Sequence, residues 1–433
     1  MALALPLRAH LASEPQLPGE RQSPDVSEPL GETLLESPMP VTDVPVADSA
    51  DLFAPAPQEQ SEPVGNAGHW KVSPHLDFKC TFDDNIFIQH ENKVSDFIVT
   101  AAPGLTVGYW EGPEHPESFR ERESLASLIE KGSRNFLVVD YTAILLGFVR
   151  NSSQNALDHD GRLDAQWRFE KLTLGATVHA ESKSETNVEI GGRLRRKAIE
   201  AEVTARYDLN EKTALEVNLF HETRDYEGFV QTREFRGEVF VEYSVTPLLR
   251  ASLGAAVGEL EIDNDDDQVI ERILGRVAFA ATEKLEFTLR GGVEFRQSDG
   301  AAGDQTNPVF ELVVSYTPAE ATRVELEGYR RVETSAENPQ ETLTRAGCEL
   351  KLRRTIRSGL QLTLETGYEH TDYTGTTDGD RSDDYFFVRP GVLYNFADWG
   401  NVMLGYEYRN NDSTKEESAF QNNQVFVEVG LSF

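Results

Sequence analysis

Apolar and polar side chains alternate with period two in run after run from His69 onward, and the connectors between runs switch between short and long. The chain ends QVFVEVGLSF. Together these observations predict an all-β chain folded as a transmembrane up-and-down antiparallel β-barrel. Alternation puts one class of side chain on each face of an extended strand. Tight turns on one edge and longer loops on the other are how such a barrel meets its two compartments.

Composition narrows the alternatives. The chain has 433 residues, 39% of them hydrophobic, a net charge of -33 and a pI near 4.6. One large β-domain fits that length. A membrane-spanning helix needs about 18 uninterrupted apolar residues; the richest run, Phe136 to Val149, is broken by Asp140 and Thr142. Mean hydropathy alone reads as soluble, but a barrel strand shows lipid only every second side chain and averages out as half polar. The acidic balance argues against a nucleic-acid partner, whose phosphates are neutralised by Lys and Arg. Cys80 and Cys348 stand far apart with no CxxC and no neighbouring His, and read as two isolated small apolar side chains.

The elements follow in order. Residues 1–67 carry Pro6, Pro15, Pro18, Pro24, Pro29, Pro38, Pro40, Pro45, Pro55, Pro57 and Pro63, and no Lys precedes Lys71. Such a segment buries too little apolar surface to offset its ordering entropy, so a disordered leader is expected. Met1 to Ala12 has the small and apolar residues of the end of a secretory signal without a basic start, which suggests a truncated or misassigned beginning. The barrel is expected over 68–433. Its strands are read near 70–82, 96–110, 135–149, 161–169, 172–181, 194–207, 214–223, 229–243, 248–261, 269–281, 285–297, 308–316, 322–333, 342–353, 359–371, 385–395, 402–409 and 423–433. That makes eighteen, with sixteen as the alternative, and an even count returns both ends to one side.

The pattern is clearest where Leu285, Phe287, Leu289, Val293 and Phe295 alternate with Glu286, Thr288, Arg290 and Glu294. Short connectors fall near Glu170–Lys171, Asp208–Thr213, Ser244–Pro247, Thr282–Lys284, Thr317–Ala321, Thr355–Ser358 and Phe396–Asn401. Long ones fall near Asn151–Gly161, Glu181–Gly192, Arg224–Gly228, Asp263–Gln268, Ser298–Asn307, Ser335–Glu341, Asp372–Asp384 and Asn410–Asn422. One inner connector is too long, and Phe119, Leu125, Leu128 and Ile129 within it sit at roughly helical spacing. A short amphipathic helix is expected near 114–131.

Four features bear on function. Val425, Val427, Val429, Leu431 and the terminal Phe433 share one face of the last strand, as in the C-terminal assembly signal of outer-membrane barrels, which the barrel-assembly machinery recognises. Tyr109, Trp110, Tyr207, Tyr243, Tyr316, Tyr394, Trp399, Tyr406 and Tyr408 lie beside turns, where amphipathic rings belong at headgroup level. The face opposite the apolar one is charged with both signs, which argues for a wet lumen; Arg236, Glu238, Arg290, Glu325, Arg331, Arg345 and Glu365 are the candidate lining residues. Most such charges are expected to form a cross-strand salt-bridge lattice that stiffens the wall. The acidic groups Asp263, Asp265, Asp266 and Asp267, and Asp378, Asp380, Asp383 and Asp384, lack EF-hand spacing and read as solvated loop charge. No GxSxG, HExxH or phosphate-cradling motif occurs, so no catalytic residue, metal or cofactor is assigned and no enzyme is expected.

The segments Asp83 to Phe87 (DDNIF) and Ser95 to Tyr109 (SDFIVTAAPGLTVGY) resemble the opening of a β-barrel porin family that includes barrels associated with exopolysaccharide biosynthesis. The resemblance implies a bacterial outer-membrane location and either a water-filled pore for passive diffusion or an accessory in exopolysaccharide export. It implies outer-membrane lipid, the barrel-assembly machinery, and polysaccharide or small solutes as partners. A plugged structural or surface-interaction barrel without transport is the alternative, an outer-membrane barrel enzyme comes third, and a soluble β-sandwich is a further option.

Overall fold

The computed structural model describes residues 68–111, 135–263, 265–298, 303–375 and 381–433. The expected leader (1–67), the expected helix (114–131), Asp378 and Asp380 lie outside the described residues.

Eighteen antiparallel strands run in chain order. They are β1 (His69–Asp83), β2 (Asp96–Trp110), β3 (Phe136–Phe148), β4 (Ala156–Arg168), β5 (Leu172–Asn187), β6 (Gly192–Asn210), β7 (Thr213–Tyr226), β8 (Gln231–Thr246) and β9 (Leu249–Ile262). They continue with β10 (Gln268–Thr282), β11 (Leu285–Ser298), β12 (Gln305–Ala319), β13 (Thr322–Thr334), β14 (Thr342–Arg357), β15 (Leu360–Thr374), β16 (Arg381–Ala397), β17 (Gly400–Ser413) and β18 (Phe420–Ser432). Every strand pairs with its chain neighbours, and β1 pairs with β18 from His75↔Ser432 to Asp83↔Gln424. The sheet is thereby closed and has no free edge. The backbone N–H of Phe433 donates to the Pro74 carbonyl at 3.0 Å, carrying the seam to the last residue.

The two faces differ as the alternation predicts. Outward positions are apolar along the middle of each strand: on β9 and β10, Leu253 is 69% and Ile273 59% exposed. A contiguous apolar belt of this kind is stable only against lipid. Trp70, Tyr109, Trp167, Tyr207, Tyr243, Tyr316, Tyr394, Trp399 and Phe433 ring the inner edge on that face, and Phe433 stacks on Trp399 at 6.3 Å. Cys80 and Cys348 are both exposed and unbridged. Both ends of the barrel lie at the edge with the tight turns, the inner edge. Hairpins β6–β7, β8–β9, β10–β11, β12–β13, β14–β15 and β16–β17 each shift register next to a two-residue inner turn. A bulge there matches the twist of the strands to the tight connection.

Three details depart from the sequence reading. Several outer connectors are shorter than expected, because strands continue where polar loops were read: Glu181–Gly192 shrinks to residues 188–191 between β5 and β6, and Asp383 and Asp384 fall within β16, whereas the connectors at 263–267 and 335–341 lie where they were read. Outward positions there turn polar, as with Lys197 on β6 and His370, Asp372 and Asp384 on β15 and β16. Alternation of hydropathy reports lipid contact, and it fades where a strand rises out of the bilayer although the hydrogen-bonded ladder goes on. Secondly, Trp110 does not join the aromatic ring; it is buried, like Phe136 opposite it on β3. Thirdly, β2 and β3 carry apolar side chains on the side away from lipid as well, where Ile98, Ala102, Leu146 and Phe148 are buried among Thr100, Thr106 and Thr142.

Candidate functional site

The seven candidate lining residues all lie on the lumen face, and the structure gathers them into distinct groups. On β8, Glu234, Arg236 and Glu238 are two residues apart and therefore neighbours on one face. Arg236 pairs with both, its Nε 3.1 Å from Glu238. Arg290 of β11 reaches over β10 and β9 to the same Glu238 at 2.7 Å. Arg276 of β10 likewise reaches Glu216 of β7 at 2.7 Å, and Arg206 of β6 reaches Glu242 of β8 at 2.7 Å.

The Arg290 and Arg276 crossings pass over β9, whose lumen row is Ser252, Gly254, Ala256 and Gly258. A Cβ on Gly254 would lie 2.3 Å from the Phe240 ring, and Arg276 lies with its guanidinium 3.9 Å over the centroid of that ring. A low floor lets guanidinium groups lie flat and find carboxylates two or three strands away.

Arg331 and Arg345 form a second group through Glu333, at 2.7 and 2.9 Å, and Glu369 accepts from Arg345 at 2.7 Å and from the Tyr329 hydroxyl at 2.7 Å. Glu365 belongs to a third, where Arg389 bridges it at 2.7 Å to Glu407 at 2.9 Å. Glu325 is peripheral, 3.9 Å from a half-exposed Arg323.

A further site residue escaped the sequence reading. β5 and β14 are nine strands apart in either direction around the ring, so they face each other across the lumen. The connector joining β5 to β6 nevertheless touches the far wall. Glu189 at its tip is 4% exposed. Its carboxylate accepts from the Ser335 hydroxyl and from the backbone N–H groups of Ala336, at 2.7 Å, and Glu337, at 3.3 Å. Arg345 lies 3.5 Å from it, and Arg381 of β16 donates to the Glu189 carbonyl at 2.9 Å. The neighbouring Val188 packs against Ile88, Tyr329, Tyr385, Phe387 and Phe420.

The receiving connector, 335–341, is braced by itself: Ser335 N–H donates to Glu341 at 3.0 Å and Glu341 N–H to Asn338 at 3.1 Å. Burial pushes the Glu189 carboxyl above the usual carboxylate range despite Arg345 and three hydrogen bonds. Glu341 is also pushed up, by burial first and by the charge of Glu189 second. Nothing local in the sequence marks Glu189, which reads as one more acidic loop residue; its partners lie 146 or more positions away.

Beneath the tip the lumen holds a cavity of about 440 Å³. Its wall combines carboxylates such as Glu181, Glu222, Glu294 and Glu327 with cations such as Arg196, Arg224, Arg272 and Lys351. Asp160, His179 and Glu181 come close enough to share a metal ion, but the Lys183 ammonium stands 3.4 Å from Asp160 and 2.6 Å from Glu181. That ammonium already provides the positive charge a cation would bring.

A closed eighteen-stranded barrel with an apolar belt, an aromatic edge and a charged lumen defines an integral barrel of the bacterial outer membrane. Residues 267–433, which span β10 to β18, match the family model described as "Putative beta-barrel porin 2". The first hairpin, where the sequence resemblance was read, lies outside the matched stretch. Comparison with curated proteins returns no match.

Among solved structures, OpdK of Pseudomonas aeruginosa with vanillate is similar at 10% identity and a TM-score of 0.41, covering 84% of this chain and 99% of that one. OccAB4 of Acinetobacter baumannii is similar at 11% identity and 0.41, covering 86% and 100%. OccK2 (OpdF) of Pseudomonas aeruginosa is similar at 10% and 0.43, covering 84% and 98%. At that distance the likeness does not bear on solute or site.

Proposed function

We propose that the protein is a channel for passive diffusion of small polar solutes across the outer membrane, narrowed at its outer mouth by the β5–β6 tip. The supporting observation is the charged cavity beneath that tip, whose lining combines both signs. Eighteen strands are in the range that leaves an aqueous lumen. Mixed charge keeps water in the passage while cancelling much of the long-range field, so selectivity by solute charge is modest. The barrel reconstituted in planar bilayers is expected to give small discrete conductance steps, and larger ones when Glu189 is replaced by Ala. A heat-modifiable, folded barrel that stays silent in both forms would overturn the reading.

The tip crossing the lumen also favours a second reading, a plugged structural or surface-interaction barrel, and silence of both forms would support it. An accessory role in exopolysaccharide export is the weaker proposal, because a polymer needs an uninterrupted bore and the crossing tip obstructs one.

Val425, Val427, Val429, Leu431 and Phe433 are proposed as the assembly signal. Phe433→Ala is expected to lower the yield of assembled barrel in cells while leaving refolding in detergent unchanged. A drop in both, or in neither, would remove the assignment.

A further inference from the structure

We propose that the β5–β6 tip is a releasable latch: seated in the socket of residues 335–341, Arg345 and Arg381 it closes the outer mouth, and out of the socket it opens the channel. The inference rests on the diffusion-channel reading and adds a regulation to it.

The first argument is that the guanidinium groups of the socket keep their partners without its occupant. Arg345 pairs with Glu333 and Glu369, and Arg381 with Asp383 at 2.6 Å. When Glu189 leaves, neither guanidinium is stranded, so the large penalty of an orphaned buried charge does not hold the tip in place. A purely structural pair would lack that property, as the pair of Arg290 with Glu238 does.

The second is mechanical. The tip ends on Gly191, at a φ of +70°, and on Gly192, around which a side chain would meet nothing within 4 Å. Left-handed backbone and free space at adjacent glycines make a hinge that swings without clash. Val188 contributes the tip's apolar anchor, and it is only partly buried.

The third is chemical. The groups that face Glu189 are Glu337 and Glu341 from the connector, Arg345, Tyr373 and Arg381 from the far wall, and Tyr226 from β7. Glu189 and Glu341 bind a proton more readily when the tip is seated than either does in water, because burial disfavours the charge. By linkage the seated state is therefore favoured at low pH, and its advantage is lost as pH rises through the raised values. The latch holds in acid and loosens above it.

The test reads tip release separately from conduction. In a Cys80→Ser, Cys348→Ser background, the full chain carrying Ala336→Cys is placed in lipid vesicles. The cysteine is then titrated with a membrane-impermeant thiol reagent at about pH 5 and about pH 8, and labelling is taken as the rate divided by that of the same reagent with a free thiol at the same pH, which cancels thiolate formation. Labelling is expected to quicken with pH, by at most about tenfold per unit for each proton released. Adding Glu189→Gln should flatten much of that dependence, and adding Glu189→Ala should make labelling fast at both pH values. Should Ala336→Cys fail to fold, Ile190→Cys on the tip itself takes its place.

Equal labelling at both pH values, unchanged by Glu189→Ala, would overturn the latch. Fast labelling of the Glu189→Ala barrel without conductance would instead overturn the channel reading and leave the latch standing.

Discussion

The wall lattice on β6 to β11 and the socket around Glu189 are both buried networks of carboxylate and guanidinium, yet they are built from opposite kinds of neighbour. In the lattice each partner stands on the same strand or up to three strands away, as Arg236 and Arg290 do from Glu238, so register alone brings them together. In the socket the partners come from the far side of the ring, and docking of a four-residue tip brings them together. Register contacts break only when the barrel unfolds. Docked contacts can break while every strand stays paired. The comparison teaches that buried charge stiffens this barrel in one place and makes it switchable in another.

The largest expected effect tests that division directly. Glu238→Ala takes the 2.7 Å carboxylate from Arg290, while Arg236 keeps Glu234, and is expected to cost about 3 kcal/mol of unfolding free energy, the low end for breaking a buried pair, because Arg290 is partly hydrated. Glu189→Ala strands no guanidinium, only the Ala336 N–H and the Ser335 hydroxyl, and is expected to cost about 1–2 kcal/mol while changing conductance the most. Urea unfolding in lipid vesicles measures both. Equal losses would mean that the tip is as much a part of the wall as the lattice is.

A smaller effect is expected at the floor that lets the lattice cross β9. Gly254→Val places a branched side chain where a single Cβ would already lie 2.3 Å from the Phe240 ring. Displacing that ring disturbs Arg276 above it and, through Arg276, the bond to Glu216. The expected loss is about 2 kcal/mol by overpacking. Combining it with Glu238→Ala should give less than the sum, since both act on one network.

How much of this was readable beforehand follows the same division. The strand count, the inner turns and closure by the last strand onto the first were legible, because period-two hydropathy and tight turns are local and repeat many times. Period two put the seven candidate lining residues on one face of their strands, but could not give their partners, which depend on register and on the low row of β9. The outer connectors were overread because polar outward residues such as His370 and Asp384 mark the end of lipid, not of the strand. Trp110 was placed among the membrane aromatics on its nearness to a turn, whereas period two from Tyr109 sends it inward. Glu189 left no trace, since a lone acid in a polar stretch looks solvated until the opposite wall is known.

Tyr329 sits where the two regions meet, and it sharpens the comparison with the smallest change. Its hydroxyl donates to Glu369 at 2.7 Å, inside the Arg331 and Arg345 group, while its ring belongs to the apolar pad under Val188. Tyr329→Phe keeps the pad and removes one donor from a carboxylate that Arg345 still holds at 2.7 Å. The expected cost is therefore about 1 kcal/mol of unfolding free energy. The pH at which the latch loosens should barely move, because the phenol touches neither Glu189 nor the 335–341 connector in the contacts that hold the tip. If unfolding is unaffected but the loosening pH shifts, then the Arg345 group transmits its charge balance to the socket, and the boundary drawn between fixed wall and moving tip lies one residue too far from Glu369.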